Sequence, residues 1–492
     1  MNVRMNPAPR ARTATGIIEG TRVDDVAVFR GIPFAAPPVG ANRFTEPRPV
    51  RSWDGVRGAV EFGAAPPQPG TADTGDEWLN LAVWTPDPGA RGLPVIVWIS
   101  GGAYLHCSTA NPHFDGMTLA TGGAVVVSVN YRVGAEGWAH LPGFPDNRGL
   151  LDQVAALRWV KDNIAAFGGD PDNVTVFGQS AGGASVAALL VMPQAVGLFD
   201  RAVLQSVPGT FFTPELAADI SDHIRAELGH ALDIERLVDT PPQRLVTAVT
   251  RLSERVLPAM ARRWGAVAYT PTPFSPVVDG EVLPVTPWEG LATGSAGRVP
   301  VLIGHVRDEG TLLASRLGPA TADAVDRMID GLAPGDRAHR YRAAFPELGN
   351  AETRAVALGD WLLRMPTLHL AEAAAAGGSP VWFSELCWGF GPNGASHTLD
   401  SLLVFGTTDI DGEVTAAGPE VLAEQLALSG LMRAEHLAFA ATGEPGWPRF
   451  DPGQATTRIY AADPAVGRYP EQRSREIWRA YRYTATGLRS VG

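Results

Sequence analysis

The chain of 492 residues is short of cysteine, of lysine and of long apolar runs. Cys107 and Cys387 are too few for a disulfide framework and lack the spacing of a zinc site, so neither a metal nor an oxidising compartment is implied. No run reaches the length of a membrane-spanning helix, and residues 1–14 lack the apolar region of a signal peptide. We therefore expect a cytoplasmic protein with no membrane partner.

Positive charge is also in deficit. Forty Lys and Arg residues face 52 Asp and Glu residues, a net charge of −12, which argues against a nucleic-acid partner. A hydrophobic fraction of 45% and a mean hydropathy of zero are typical of a soluble chain with a large core. The expected partner is a small molecule, and the expected assembly is a monomer or a weak homo-oligomer.

The order of apolar segments predicts an α/β protein. The runs at 94–99 and 124–131 do not alternate with polar residues, as expected for strands buried on both faces of a parallel sheet. A helix is predicted from Asn147, and further strands at 202–205, 299–304, 380–386 and 458–461. Residues 1–14 are predicted to be a mobile leader and 15–492 one domain, whose helical insertions, around 213–264 and 316–376, cap the carboxyl edge of the sheet.

The segment Gly178-Gln179-Ser180-Ala181-Gly182 lies between a β-branched strand pattern and an Ala-rich helix pattern. This G-x-S-x-G in a strand-turn-helix context is typical of a nucleophile elbow, where glycines permit a tight turn and the serine stands at its apex. The motif alone is a weak signal in a glycine-rich chain. Its context favours Ser180 as a nucleophile over a serine in an ordinary turn.

A nucleophilic serine needs a base and an acid, which follow it in that fold in the order acid, then histidine. Among the histidines beyond residue 300, His397 lies in a loop after a late strand, where the base is expected. The others lie in helical or apolar strand patterns and are predicted to be structural or solvated; these are His305, His339, His369 and His436. Asp308 and Glu309 are both candidates for the acid. Periodicity does not choose between them, and the other carboxylate is expected to pair with Arg307.

Backbone donors for an oxyanion are predicted after the strand at 94–99. The small residues at 100–103 allow successive N–H groups to converge, so the expected set is Gly102, Ala103 and, from the elbow, Ala181.

Together these segments resemble the type-B carboxylesterases, which include bacterial p-nitrobenzyl esterases, mammalian carboxylesterases and cholinesterases. The resemblance is carried almost end to end by FRGIPFAAPPVGANRF, LNLAVWTP, PVIVWISGGAYL, VVVSVNYRVG, NRGLLDQVAALRWVKDNIAAFGGDPDNVTVFGQSAGG, AVLQS, PVVDGEVLP, IGHVRDEG and HTLDSLLVFG. It implies an α/β-hydrolase fold with a large, mostly parallel sheet, a catalytic triad of Ser180, Glu309 and His397, and no metal or organic cofactor. It also implies a supporting role for Ser206.

The chain departs from the family at four positions. Ser100 stands where relatives have histidine, Ala103 where most have a third glycine, and Gln179 where most have glutamate. Trp78 replaces a cysteine of an N-terminal loop disulfide, so that loop must be held by packing. Because the neutral Gln179 cannot attract a cation, we expect no preference for choline esters.

The predicted activity is hydrolysis of apolar, uncharged carboxylic esters through an acyl-enzyme on Ser180. The residues predicted to line the pocket are Tyr104, Phe211, Phe212 and Leu312, although each is equally expected in the core. An amide-cleaving or acyl-transferring enzyme with the same triad, acting on one secondary metabolite, is an alternative. A non-catalytic binding protein is a further alternative, which the complete triad disfavours.

Overall fold

The computed structural model describes residues 7–71, 75–229, 237–333, 335–407 and 413–489. In these ranges the strands are β1 (Arg10–Thr13), β2 (Gly16–Glu19), β3 (Thr21–Val23), β4 (Val26–Pro33), β5 (Val56–Gly58), β6 (Asn80–Thr85), β7 (Leu93–Ile99), β8 (Val125–Val129), β9 (Gly169–Gln179), β10 (Arg201–Gln205), β11 (Val301–Val306), β12 (Val381–Leu386), β13 (Thr456–Tyr460) and β14 (Ala465–Arg468).

The α-helices of the same ranges are α1 (Met117–Thr121), α2 (Gly134–Trp138), α3 (Arg148–Asn163), α4 (Ala181–Leu189), α5 (Pro214–Glu227), α6 (Pro242–Arg251), α7 (Ala261–Trp264), α8 (Pro287–Ala292), α9 (Thr311–Ser315), α10 (Ala322–Leu332), α11 (Arg337–Ala344), α12 (Asn350–Gly359), α13 (Met365–Ala376), α14 (Leu399–Phe405), α15 (Glu413–Ala417), α16 (Pro419–Thr442) and α17 (Gln472–Trp478). Within the described residues none of these helices combines the length and apolar character needed to cross a bilayer.

Eleven of the described strands form one sheet in the order β14-β13-β12-β11-β10-β9-β7-β8-β6-β4-β3. The pairings from β8 to β13 are all parallel, and the strands at both ends of the sheet pair antiparallel. The predicted mostly parallel sheet is confirmed. Because parallel strands finish at one edge, the residues that follow β7, β9, β11 and β12 are brought to the same side of the molecule.

The central strands are buried on both faces because their apolar residues do not alternate with polar ones. Trp98 and Phe177, on β7 and β9, pack edge to face at 4.8 Å in the core on one face of the sheet. Val97 and Val176 lie in the core on the other face. Each layer of helices therefore covers an apolar sheet surface, as expected for parallel sheets.

The predicted mobile leader is wrong for residues 10–13. They form β1, which pairs antiparallel with β2, and β2 pairs with β5 in a separate three-stranded sheet. The physical reason is visible in the burial pattern, since Ala11 and Thr13 are buried while Arg10 and Arg12, which alternate with them, are exposed. Residues 1–6 of that prediction lie outside the described ranges.

The stretches predicted as insertions are helical. The first contains α5, α6 and α7, and the second contains α10, α11, α12 and α13. Residues 230–236 and 334, within the two predicted stretches, lie outside the described ranges. Part of the second stretch reaches the carboxyl edge of the sheet, where Arg316, Leu362 and Leu363 line a cavity beside Ser180.

Candidate active site

Ser180 lies alone between β9 and α4. Its backbone adopts φ 57° and ψ −127°, a conformation that non-glycine residues rarely adopt and that occurs mainly where surrounding structure enforces it. The surrounding structure here is the neighbouring strand β10, because the N–H of Ser180 donates to the carbonyl of Gln205 at 2.9 Å. The hydroxyl is thereby presented at the wall of the cavity.

The glycines of the motif are required by close backbone contacts. A Cβ on Gly178 would lie 2.3 Å from the carbonyl oxygen of Gly182, and a Cβ on Gly182 would lie 2.1 Å from that of Ile99. Both separations are far below van der Waals contact, so the turn between β9 and α4 closes only with glycine at these positions.

His397 connects the serine to a carboxylate. Its Nε2 lies 2.9 Å from Oγ of Ser180, and its Nδ1 lies 2.5 Å from Oε2 of Glu309. With Glu309 ionised, Nδ1–H is the donor to the carboxylate, and Nε2 is left as an acceptor for the serine hydroxyl. Serine, histidine and glutamate therefore form a continuous hydrogen-bonded chain.

The two adjacent carboxylates that sequence periodicity left open have separate tasks. Glu309 is fully buried and faces His397, while its Oε1 accepts from the N–H of Val306 at 3.2 Å. Asp308 faces the loop that carries the histidine, where its Oδ2 accepts from the N–H of Ala395 at 2.8 Å. It also pairs with Arg307 at 2.9 Å, as expected for the second carboxylate.

Charge and burial act in opposition on this pair. Burial would raise the pKa of Glu309, but His397 and the nearby Ser206 hydroxyl outweigh it, and the pKa of Glu309 is lowered. Burial would lower the pKa of His397, but the charge and hydrogen bond of Glu309 raise it overall. Buried Asp400 adds to this effect, and its own pKa is raised to about 7 by burial and by Glu309. The imidazole is therefore a stronger base than a free histidine.

Three residues of the cavity wall near Ser180 have backbone N–H groups without an acceptor in the described chain. They are Gly102, Ala103 and Ala181. The loop after β7 adopts positive φ at Gly102 (121°), Ala103 (56°) and Tyr104 (59°), which turns these amides away from the strand ladder. In other proteins, successive N–H groups in a bend of this kind make concavities that bind anions.

The cavity, of about 1150 Å³ counting its open mouth, is lined mainly by apolar side chains. Tyr104 and Leu312 lie on its wall, where they were predicted. Phe211 and Phe212 do not, and that prediction is wrong. Both are buried in the core, where Phe211 packs edge to face on Trp288 at 5.5 Å.

Sequence reasoning missed most of the wall. The additional lining residues include Leu105, His106, Pro208, Thr210, Thr270, Pro271, Thr272, Leu313, Arg316, Leu362 and Leu363. They come from five separate segments, and no local pattern marks them. The cavity contains no Asp or Glu among its described lining residues, and in that part of the chain no three potential metal-ligating side chains cluster.

Comparison with known proteins gives a consistent result. The family model of the carboxylesterase family matches residues 7–478. The para-nitrobenzyl esterase of Bacillus subtilis (strain 168) is 34% identical over 488 residues, which cover 94% of this chain and 97% of that one. The chain belongs to the carboxylesterase family.

Further similar proteins show the same relation. The fumonisin B1 esterase of Sphingopyxis macrogoltabida is 34% identical over 471 residues, covering 89% of this chain and 84% of that one. A crystal structure of a carboxylesterase from Geobacillus stearothermophilus is 35% identical and has a TM-score of 0.86, covering 95% of this chain and 99% of that one. The α/β-hydrolase fold and the prediction of an enzyme that hydrolyses carboxylic esters are confirmed.

Of the four departures of this carboxylesterase, Ala103 and Gln179 line the cavity, and Ser100 lies in the segment next to it. Gln179 is buried, and its Nε2 lies 3.2 Å from Nε2 of His397, so its amide donates to the same nitrogen as Ser180. Ser100 does not line the cavity, and its hydroxyl donates to Sγ of Cys107 at 3.5 Å. Only the change at position 179 therefore alters the electrostatics of the imidazole directly.

The fourth departure, Trp78, and the predicted supporting residue Ser206 both lie outside the cavity wall. Trp78 is buried, and its indole N–H donates to the carbonyl of Gly75 at 2.6 Å, so packing holds that loop end. Ser206 is buried at φ 53°, with its N–H bonded to the carbonyl of Gly304 at 2.8 Å. Its hydroxyl lies close enough to Glu309 to lower the pKa of that carboxyl, although it makes no regular hydrogen bond.

Proposed function

We propose that the chain hydrolyses carboxylic esters in two steps through an acyl-enzyme on Ser180. The observation that carries the proposal is the hydrogen-bonded chain from Ser180 through His397 to Glu309, next to N–H groups that have no described acceptor. In the first step His397 accepts the proton of Ser180 as Oγ attacks the ester carbonyl. Glu309 fixes the imidazole tautomer and balances the charge that develops.

The amides of Gly102, Ala103 and Ala181 are proposed to stabilise the tetrahedral oxyanion. A donor in this role is typically worth about 3 kcal/mol of transition-state energy, because it is oriented before the reaction begins. The imidazolium then gives its proton to the leaving alcohol. In the second step His397 activates water, which attacks the acyl carbonyl and releases Ser180 and the acid.

The groups that flank the scissile bond are proposed to be apolar and uncharged. Leu105, Leu312 and Leu363 lie on the cavity wall, and no carboxylate there would compensate a cationic group. This lining supports neutral esters over choline esters. Amide cleavage and acyl transfer to an alcohol use the same triad, so amide analogues and alcohol acceptors belong in the substrate panel.

Domain organisation, cellular location and assembly are also part of the proposal. We propose that residues 15–492, together with β1, act as one domain with capping insertions, since Arg316, Leu362 and Leu363 of the second insertion reach the cavity. A cytoplasmic location in a bacterium and a monomeric or weakly associated state remain predictions. Buried Cys107 and partly buried Cys387 are both free, which is compatible with a reducing compartment.

The test is active-site labelling with a fluorophosphonate, followed by peptide mapping and assays with 4-nitrophenyl esters. We expect one label, on Ser180, and Ser180→Ala should lose both labelling and at least about a thousandfold in kcat. The exposed Ser52→Ala serves as the matched control and should behave as the unchanged protein. Label on another serine, or hydrolysis that survives Ser180→Ala, would refute the mechanism.

A further inference from the structure

A second concave surface adjoins the catalytic cavity and has the opposite charge to the chain as a whole. This arginine groove, defined by Arg262, Arg327, Arg354 and Arg489, has a volume of about 1250 Å³ counting its open side. No carboxylate is among its described lining residues. In a chain with 52 acidic and 40 basic residues, such a surface concentrates anions against the overall field.

The floor of the groove is one face of α10. Ala324, Arg327, Met328 and Gly331 line it at the spacing of successive helical turns. Ala324 and Gly331 are small, and a Cβ on Gly331 would meet nothing closer than 3.6 Å, so this face leaves open space beside the arginine. The groove therefore has open space next to the positive charge of Arg327.

Two of the arginines are held in place by the backbone. Nη2 of Arg489 donates to the carbonyl of Gly331 at 2.5 Å, and Nη1 of Arg354 donates to that of Gly318 at 2.5 Å. Nε of Arg354 is buried and has no hydrogen-bond partner among the described residues. Carbonyl contacts position a guanidinium without neutralising it, so both keep their full charge.

The other two arginines differ in their partners. The side chain of Arg262 is exposed and makes no hydrogen bond or ion pair with any residue in the described ranges. Arg327 pairs with Asp323, but both side chains are more than two-thirds exposed, so water screens that pair. Three arginines of the groove thus lack a carboxylate partner in the described chain.

The groove and the cavity are continuous along the chain at two places. Tyr269 lines the groove and Thr270 lines the cavity; likewise Leu317 lines the groove and Arg316 lines the cavity. Arg316 is itself exposed at the cavity wall and has no ion-pair partner among the described residues. The two hollows therefore adjoin at Tyr269–Thr270 and at Arg316–Leu317.

We propose that the arginine groove binds a carboxylate or phosphate group of the ester substrate, at the end remote from the scissile bond. The inference rests on the proposed esterase function, since the anion is assigned to the substrate of that reaction. Guanidinium groups suit it because they bind carboxylate and phosphate oxygens in pairs. The substrate class is therefore an ester with an apolar segment at Ser180 and an anionic tail.

The test compares matched ester pairs. For several chain lengths, kcat/KM is measured for the 4-nitrophenyl hemiester of a dicarboxylic acid and for the 4-nitrophenyl alkanoate of equal length. We expect the anionic-to-neutral ratio to rise once the tail spans the distance to the groove, and to fall with added salt. Arg262→Gln should lower that ratio about fivefold to tenfold, whereas Arg22→Gln on β3, at the far edge of the sheet, should leave it unchanged.

Three outcomes overturn the proposal in distinguishable ways. In the first outcome, neutral esters are hydrolysed but the anionic-to-neutral ratio changes neither with chain length nor with Arg262→Gln. This result refutes anion binding in the groove and leaves the proposed esterase function intact. A second outcome combines an anionic-to-neutral ratio that does not change with chain length with an effect of free suberate or inorganic phosphate on the turnover of 4-nitrophenyl butyrate. If that effect requires Arg262, the groove binds an anion that is separate from the substrate. Absence of turnover on all esters and of label on Ser180 refutes the proposed function itself.

Discussion

Replacing Gln179 by glutamate tests how the catalytic imidazole is tuned. The amide nitrogen of Gln179 lies 3.2 Å from Nε2 of His397, so Gln179→Glu places a negative charge at about that distance. Coulomb's law gives about 1 kcal/mol at this separation in water and about 5 kcal/mol at the effective dielectric of a protein surface. The side chain of His397 is 19% exposed and Gln179 is buried, so water screens this pair only in part and the value in water is the minimum expected.

The expected result is a further rise in the pKa of His397, by at least about one unit, at 1.4 kcal/mol per unit. Glu309 already raises this pKa above the ordinary value of 6.5. Because His397 acts as a base only when neutral, activity is lost as pH falls through its pKa. The acidic limb of kcat/KM should therefore lie above pH 6.5 in the unchanged protein and at least about one unit higher in Gln179→Glu.

The assay is the pH dependence of kcat/KM for a neutral 4-nitrophenyl ester, with Gln179→Met as the control. Methionine has similar length but no charge and no amide donor, so it separates the effect of charge from that of the lost hydrogen bond. The same variants are compared at a pH above both limbs with acetylcholine and its neutral isostere 3,3-dimethylbutyl acetate. Gln179→Glu should raise the choline-to-neutral ratio about fivefold, the equivalent of 1 kcal/mol.

Coincident acidic limbs for the glutamate and methionine variants would refute the electrostatic reasoning about His397. An unchanged choline-to-neutral ratio would refute the separate inference that the neutral residue at position 179 sets the charge preference. The two readouts are independent, because the first reports proton affinity in the free enzyme and the second reports the field in the cavity.

Two further predictions concern stability. Asp152→Ala should lower the free energy of unfolding by about 3–5 kcal/mol, because it leaves the fully buried Arg132 without its bidentate partner. The loss is measured from urea unfolding, and an unchanged urea midpoint would contradict the prediction. Gly182→Ala should prevent folding or abolish labelling of Ser180, since its Cβ would meet the Ile99 carbonyl. Gly430→Ala, on α16, places its Cβ in open space and should stabilise the helix slightly. Equal stability and equal labelling of the two variants would contradict the prediction.

The elements predicted from sequence were those that local pattern determines. The central strands of the sheet can be predicted because their residues are apolar on both faces. Ser180 can be predicted as the nucleophile because its turn requires glycine at fixed positions on either side. Strand β1 was missed although its pattern was present, since Ala11 and Thr13 alternate with arginines over only four residues.

The walls of the cavity were not predictable in the same way. Phe211 was placed there because it follows Ser206 closely in sequence, yet its side chain points to Trp288 in the core. Thr270 and Thr272 line the cavity instead, some sixty residues further along the chain. Which side chain reaches a cavity depends on how distant segments pack against one another. No local pattern in a single sequence predicts that packing.

The division between strand ends and cavity walls has a consequence for how this molecule can change. Ser180, Glu309 and the amides proposed to bind the oxyanion follow strands of the sheet, while Thr270, Leu312 and Leu363 come from segments outside it. Substitutions in those outer segments alter the shape and charge presented to a substrate without moving the reacting atoms. New ester specificities are therefore accessible by mutation of the walls alone, and the chemistry is inherited unchanged.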